Sequence, residues 1–238
     1  MRNLIKFCLS LFDYLTEKKI INQLKRVFLN KKTISVIDIG AHKGEYISSI
    51  IKNFNISKGY CFEPNPKVFK ILNNKISLNK KIELLNYGAS NNSGNILFNE
   101  NIESSSSSIN ELNKNSNYYK KKFFLLNFLG LNEVTKKIEI KVVTLSDFIV
   151  ENNINKIDLL KIDTEGHEFQ VLSGLKDKMH MINLIHFEHH FDDMIIKDYK
   201  LTDIHNLLEK KGFKKYFKIK MRFRKSFEYL YININYNS

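Results

Sequence analysis

ISVIDIGAHKGEY, residues 34–46, joins a nearly continuous β-branched run to the start of a helical pattern through two glycines four positions apart. A short apolar run that stops at such a turn reads as a strand buried on both faces, here over 33–40, and helical character follows over 45–53. Gly40 and Gly44 let the backbone turn and approach a ligand without a Cβ in the way. Their spacing is GxxxG. The turn that seats a dinucleotide diphosphate is GxGxxG, so a ligand without a diphosphate is preferred here.

On the C-terminal side the same alternation repeats. KGYCFE (58–63) is a second strand, stopped by Pro64 and Pro66, the two prolines of the chain. A helix is expected over 67–78, a third strand over 82–87 and a short one over 96–99. Residues 101–117 are rich in Ser and Asn, a composition that builds no core; they read as a loop or as a lid over a substrate or cofactor. A strand over 137–145, a short helix over 145–153, the apolar strand IDLLKID (157–163), a helix over 165–175 and the strand NLIHFE (183–188) follow. A helix over 201–211 ends at Gly212, and 213–220 with 227–233 forms a closing antiparallel pair. Alternating strands and helices predict an α/β, Rossmann-like domain: a mostly parallel seven-stranded sheet with helices on both faces and a C-terminal antiparallel hairpin. Ligands of such sheets bind beyond the carboxyl ends of the strands, so chemistry is sought there.

Asp38, beside the glycine turn, suits a ligand with a cationic head, such as the ammonium of S-adenosylmethionine; the alternative is a tight structural turn with a solvated carboxylate. Glu63 ends the next strand about 20 residues on, where a carboxylate accepts hydrogen bonds from ribose hydroxyls. NYGAS (86–90) ends the third strand with small side chains that admit a flat ring. In DLLKIDTEGHE (158–168), Lys161 and Asp163 share one face of a strand, and Glu165 and Glu168 open a helix, where carboxylates also complement the dipole. In HFEHH (186–190), His186 and Glu188 share a face, with His189 and His190 at the strand end; a base or metal role competes there with a structural one.

The 238 residues carry a net charge of +13. Lys, Asn and Ile are abundant throughout, so the charge is first a compositional bias. One cluster stands apart: Lys210, Lys211, Lys214, Lys215, Lys218, Lys220, Arg222, Arg224 and Lys225. Solvated faces of a helix end and an edge hairpin account for it; an anionic acceptor or a membrane surface is the alternative. Residues 1–32 read as an N-terminal helical extension packing on the edge of the domain over 33–238, with peripheral membrane contact as the competing reading. No run is long and apolar enough to span a bilayer, and no signal-peptide cleavage site follows the first segment. Two cysteines, Cys8 and Cys61, form no disulfide framework or zinc spacing, so a cytoplasmic location is expected.

VIDIGAHKGEY, CFEPNP, LLKIDTEGHEFQVLSG and IHFE, in this order, resemble the FkbM family of methyltransferases over about residues 34–233. The resemblance implies S-adenosyl-L-methionine as methyl donor and a hydroxyl on a small-molecule or glycan acceptor. It implies a donor site of Asp38, Gly40, Ala41, His42, Gly44, Tyr46, Glu63, Pro64, Asn86, Ala89 and Asp163. His42 departs from the asparagine frequent in the family, and a family Ser-Ser pair corresponds to Ser107 and Ser108. Transfer to a hydroxyl needs a base. Asp163 with Glu165 is the first candidate; His189, oriented by Glu188, is the second; Lys161 would hold the acceptor oxygen or tune Asp163. A divalent ion gathered by Asp163, Glu188 and His189 is a variant of this scheme. A nucleic-acid methyltransferase using the basic cluster, a nicotinamide oxidoreductase and a silent binding module are the competing classes, and nucleic acid is disfavoured as a partner.

Overall fold

The computed structural model describes residues 2–101, 107–128, 136–222 and 225–236. Helix α1 (Arg2–Val27) precedes β1 (Ile34–Ile39), α2 (Glu45–Asn53), β2 (Ile56–Phe62), α3 (Pro66–Ile76) and β3 (Ile82–Leu85). An insertion follows: β4 (Gly88–Ala89), β5 (Gly94–Glu100), α4 (Asn117–Phe128) and β6 (Lys136–Val143). The chain then resumes the alternation with α5 (Leu145–Glu151), β7 (Ile157–Ile162), α6 (Glu168–Ser173), β8 (Ile182–His190), α7 (Leu201–Lys210), β9 (Phe213–Lys220) and β10 (Ser226–Asn233).

Seven strands form one sheet in the order β3-β2-β1-β7-β8-β10-β9. β1 runs parallel to β2 and β7, and β8 parallel to β7, whereas β10 is antiparallel to β8 and β9. The expected parallel sheet with a terminal hairpin is therefore present. Strand order reverses between β1 and β7, which opens a crevice at their carboxyl ends. One element lies outside the expectation. β4, β6 and β5 form a separate three-stranded sheet, so the predicted third strand stops at Leu85, and Gly88 and Ala89 pair with β6 instead.

Period-two alternation decides which side chains reach each face. Ile37, Ile39, Leu160, Ile162, Ile185 and Phe187 pack with α5, α6 and α7. Ile34, Val36, Leu159, Leu184 and Leu230 pack on the other face, against Ile47 and Ile50 of α2 and Ile20, Ile21 and Leu24 of α1. Each such fully buried side chain contributes about 1.5–3 kcal/mol, so the C-terminal half of α1 is part of the core. No helix among the described residues is long and apolar enough to cross a membrane.

Two local expectations are corrected. The helix read over 165–175 starts at Glu168, because Glu165 (φ 50°) and Gly166 (φ 96°) lie in the left-handed region. Glu165 therefore does not open the helix, whereas Glu168 does so in its first turn. Glu168 is buried, accepts from the Gly166 amide at 2.8 Å and takes a hydrogen bond from Tyr199. The lid proposed within 101–117 falls partly on residues 102–106, outside the described residues. Of the basic cluster, Lys214, Lys215, Lys218 and Lys220 are exposed on β9, the sheet edge, where lysines discourage edge-to-edge pairing. Arg224 lies outside the described residues.

Candidate active site

A cavity of about 470 Å³ opens at the β1–β7 crevice. Gly40, Ala41, His42, Tyr46, Glu63, Pro64, Ala89 and Asp163 line it, as do Glu165, Glu188 and Glu228. Gly40 has φ 82°, and a Cβ there would sit 1.9 Å from the Asp163 carbonyl oxygen, so the end of β1 touches the end of β7 only because no side chain intervenes. Gly44 is different. Its φ of 77° turns the chain into α2, and a Cβ would strike Leu72 at 2.8 Å; it does not line the cavity, so its place is to pack α2 on α3 rather than to admit a ligand.

Glu63 is held by the turn it follows. Its Oε2 accepts the His42 amide and its Oε1 the Asn65 amide, each at 2.9 Å. A carboxylate has about four lone-pair sites, so both oxygens keep acceptor capacity on the cavity side. Burial pushes its pKa up to about 7, with the two amides and His42 pulling the other way. Asn86 does not line the cavity; its side-chain amide donates to the Glu63 and Pro64 carbonyls at 2.9 and 3.3 Å and so braces that backbone. Asp38 lies under the turn rather than in the cavity wall. It is 1% exposed, its Oδ2 has no hydrogen-bond partner among the described residues, and burial raises its pKa to about 7 against the pull of Lys161.

On the α1/α2 face the apolar rows of β1, β7, β8 and β10 give way to charge near the crevice. Asp38 is in register with Lys161, and Lys161 with His186. Lys161 Nζ lies 3.5 Å from Asp163 Oδ2 and 3.3 Å from Glu228 Oε2. His186 Nε2 is 2.8 Å from the same Glu228 oxygen, and its Nδ1 is 2.9 Å from the Tyr46 hydroxyl. Burial would raise the Glu228 pKa, but Lys161 and His186 outweigh it and hold the carboxylate far below its usual range. Burial likewise disfavours the Lys161 ammonium, and Asp163 and Glu228 reverse that, so the lysine stays charged.

Asp163, one-third exposed, and Glu165 both face the cavity. Glu165 Oε2 lies 3.1 Å from His190 Nε2, and Ser108 Oγ donates to the Glu165 carbonyl at 2.7 Å. Ser107 lines the cavity, so both serines of the pair meet this region. His190 is largely shielded from solvent, which opposes charging, but Glu165, Asp192 and Glu188 push its pKa up to about 11.

The histidine expected as a base is elsewhere. His189 shares the face of Phe187 and packs against Tyr199 (ring centroids 5.9 Å), away from Glu188; burial and nearby Lys197 lower its pKa to about 3. Asp163, Glu188 and His189 are thus not gathered, and no group of three His, Cys, Asp or Glu side chains is arranged to hold a metal among the described residues. Sequence reading placed His190 at the strand end without pairing it with Glu165; it missed Glu228, and it missed Asp13, Tyr14 and Glu17 of α1, which form a further wall of the cavity. A single Glu within the apolar strand SFEYLYIN was the available signal for Glu228.

The profile of the family described as Methyltransferase FkbM domain matches residues 38–215. Hexuronic acid methyltransferase AglP of Haloferax volcanii is 25% identical over 154 residues, 64% of this chain and 54% of that protein. Among solved structures, methyltransferase FkbM from Methylobacillus flagellatus superposes with a TM-score of 0.54 at 15% identity, over 84% of this chain and 44% of that one. Magnesium protoporphyrin IX methyltransferase ChlM of Synechocystis, with bound S-adenosylmethionine, gives 0.52 at 11% identity, over 94% and 80%. The chain spans about half the length of the curated relative, and the structural likenesses establish a shared fold.

Proposed function

Because this chain belongs to the FkbM methyltransferase family, we propose that it moves the methyl group of S-adenosylmethionine onto a hydroxyl of a carbohydrate or small-metabolite acceptor. The observation that carries the donor assignment is Glu63, fixed by two backbone amides at the end of β2 with acceptor capacity left facing the cavity. A ribose diol is the group such a carboxylate holds. The buried, unbonded Oδ2 of Asp38 beneath the turn fits a donor with a cationic amino-acid head. The GxxxG turn offers no diphosphate seat, which disfavours a nicotinamide cofactor. The relative named for a hexuronic acid supports a carbohydrate acceptor.

When bound, the donor supplies a methyl group already activated by a sulfonium, so the protein's task is alignment, exclusion of water and removal of one proton. Asp163 takes the acceptor proton as the oxygen–methyl bond forms and the carbon–sulfur pair leaves with S-adenosylhomocysteine. Lys161 positions Asp163 for that step. Glu165 is engaged by His190 and shapes the same wall. Calorimetric titration with S-adenosylhomocysteine and, separately, NAD tests the donor. Heat with the first alone is the expected result; binding of NAD alone overturns the reading.

A further inference from the structure

Glu188 and Glu228 stand directly opposite one another on the antiparallel β8–β10 pair. Both are buried, both point to the α1/α2 face and both line the cavity. Like charges in register across a strand pair are unfavourable, and more so away from water. Glu228 is neutralised by Lys161 and hydrogen-bonded by His186, whose own charging is opposed by burial. Glu188 is not neutralised to the same degree: it is 4% exposed, its Oε1 makes no hydrogen bond, and the cation near it, His190 Nε2 at 3.5 Å, lies closer to Glu165.

The rest of the wall has the same sign. Asp13 and Glu17 approach from α1, and Glu45 from α2, beside the carboxylates already described. Among the described lining residues there is no lysine or arginine, and His42 is the one basic side chain. This is the reverse of the chain as a whole, which carries +13. Asp13, Glu17 and Glu228 also fall outside the family-matched segment 38–215, so part of this wall comes from beyond that segment.

We propose that the acceptor bears a positive charge close to the methylated hydroxyl, as an amine-bearing sugar or polyol does, and that Glu188 pairs with it across the cavity from the donor. The proposal rests on the methyltransferase reading. An ammonium entering between Glu188 and α1 satisfies the unbonded Glu188 oxygen and takes the place of the proton that otherwise relieves the two opposed glutamates. A carboxylate-bearing acceptor entering the same space adds to that repulsion, and like-charge contacts of this kind are strongly selective. Burial, followed by the charges of Asp163 and Glu228, pushes the Glu188 pKa up to about 8, the mark of a carboxylate short of counter-charge.

The test compares three methyl glycosides that differ in one group, a glucosaminide, a glucoside and a glucuronide, with S-adenosylmethionine as donor and S-adenosylhomocysteine release as readout. The glucosaminide is expected to exceed the glucuronide in kcat/KM by about a hundredfold, with the glucoside between them. Glu188→Gln should shrink that ratio by about tenfold, and Glu17→Gln, nearer the surface and safer for folding, by a few-fold. Neither should change S-adenosylhomocysteine affinity. A glucuronide used as well as the glucosaminide, a ratio unmoved in both variants, or donor affinity lost with Glu188→Gln each overturns the proposal. So does failure of all three sugars in a protein that binds S-adenosylhomocysteine. Absence of that binding would instead remove the methyltransferase reading beneath it.

Discussion

Lys161 of β7 and Glu228 of β10 meet at 3.3 Å beneath the cavity, with side chains 3% and 9% exposed and two thirds of a hundred residues between them in sequence. Breaking a buried pair by removing one partner leaves an uncompensated charge and costs about 3–5 kcal/mol. Lys161→Met should therefore destabilise by that amount in urea unfolding, and the Lys161→Met/Glu228→Gln double variant should recover part of it. Equal loss in the single and double variants would show that the pair is not coupled.

The buried carboxylates give an opposing pH signature. Asp38 and Glu63 have folded pKa values raised to about 7, and Glu188 to about 8, chiefly by burial. A raised carboxylate binds its proton more tightly when folded, so its contribution is complete below the unfolded pKa of about 4 and is lost as pH rises through the folded value. Glu228 is depressed and acts oppositely, losing its contribution as pH falls below the ordinary glutamate range. Above about pH 6.5, where the lowered histidines His167, His186 and His189 no longer oppose the trend, the urea midpoint of the donor-free protein should thus decline towards pH 8. Asp38→Asn should flatten that decline, and an unchanged slope would place the titration elsewhere.

Asp163→Asn should lower kcat by about a hundredfold to ten-thousandfold, the range of a lost general base, while leaving the unfolding midpoint nearly in place, since Lys161 retains Glu228. His189→Gln serves as the internal contrast. His189 packs on Tyr199 away from the cavity, so turnover should stay within about twofold of the parent. Full activity in Asp163→Asn, or its loss in His189→Gln, reverses the assignment of the base.

Glu63→Gln keeps the shape of the β2 end but weakens a charged acceptor that hydroxyls and two amides share. Hydrogen bonds to a charged group contribute about 1.5–3 kcal/mol, so S-adenosylhomocysteine should bind about tenfold to a hundredfold more weakly by calorimetry. Affinity unchanged within twofold would mean that the ribose lies elsewhere.

Gly40→Ala should be harsher than Gly44→Ala. Both positions have positive φ, but the added methyl at 40 meets backbone, the Asp163 carbonyl at 1.9 Å, whereas at 44 it meets the Leu72 side chain, which can move. Thermal melting should show a loss of several kcal/mol at 40 and a clearly smaller one at 44.

The strands, their order of appearance and the crevice were legible because apolar runs and two glycines write them locally. Period-two arithmetic also held an unused result. If His186 and Glu188 face the cleft, His190 shares that face and His189 cannot. Other features were closed to sequence reading. The small β4-β6-β5 sheet depends on a two-residue strand, Gly88–Ala89, too short for any periodic signal. Glu228 acquires its meaning only from the register that sets it beside Lys161 and opposite Glu188, and that register is a property of the assembled sheet. The part played by α1 is similar: Asp13 and Glu17 become cavity residues through where Ile20, Ile21 and Leu24 dock.

The position of β10 has a practical consequence for anyone trimming this protein. It lies between β8 and β9, so a fragment cut to the family-matched span 38–215 would lose the central strand of that trio together with most of its outer neighbour. The backbone edge of β8 would be laid bare, and the fragment would be prone to stick to copies of itself. The smallest piece that folds is therefore longer than the stretch by which its kinship is recognised.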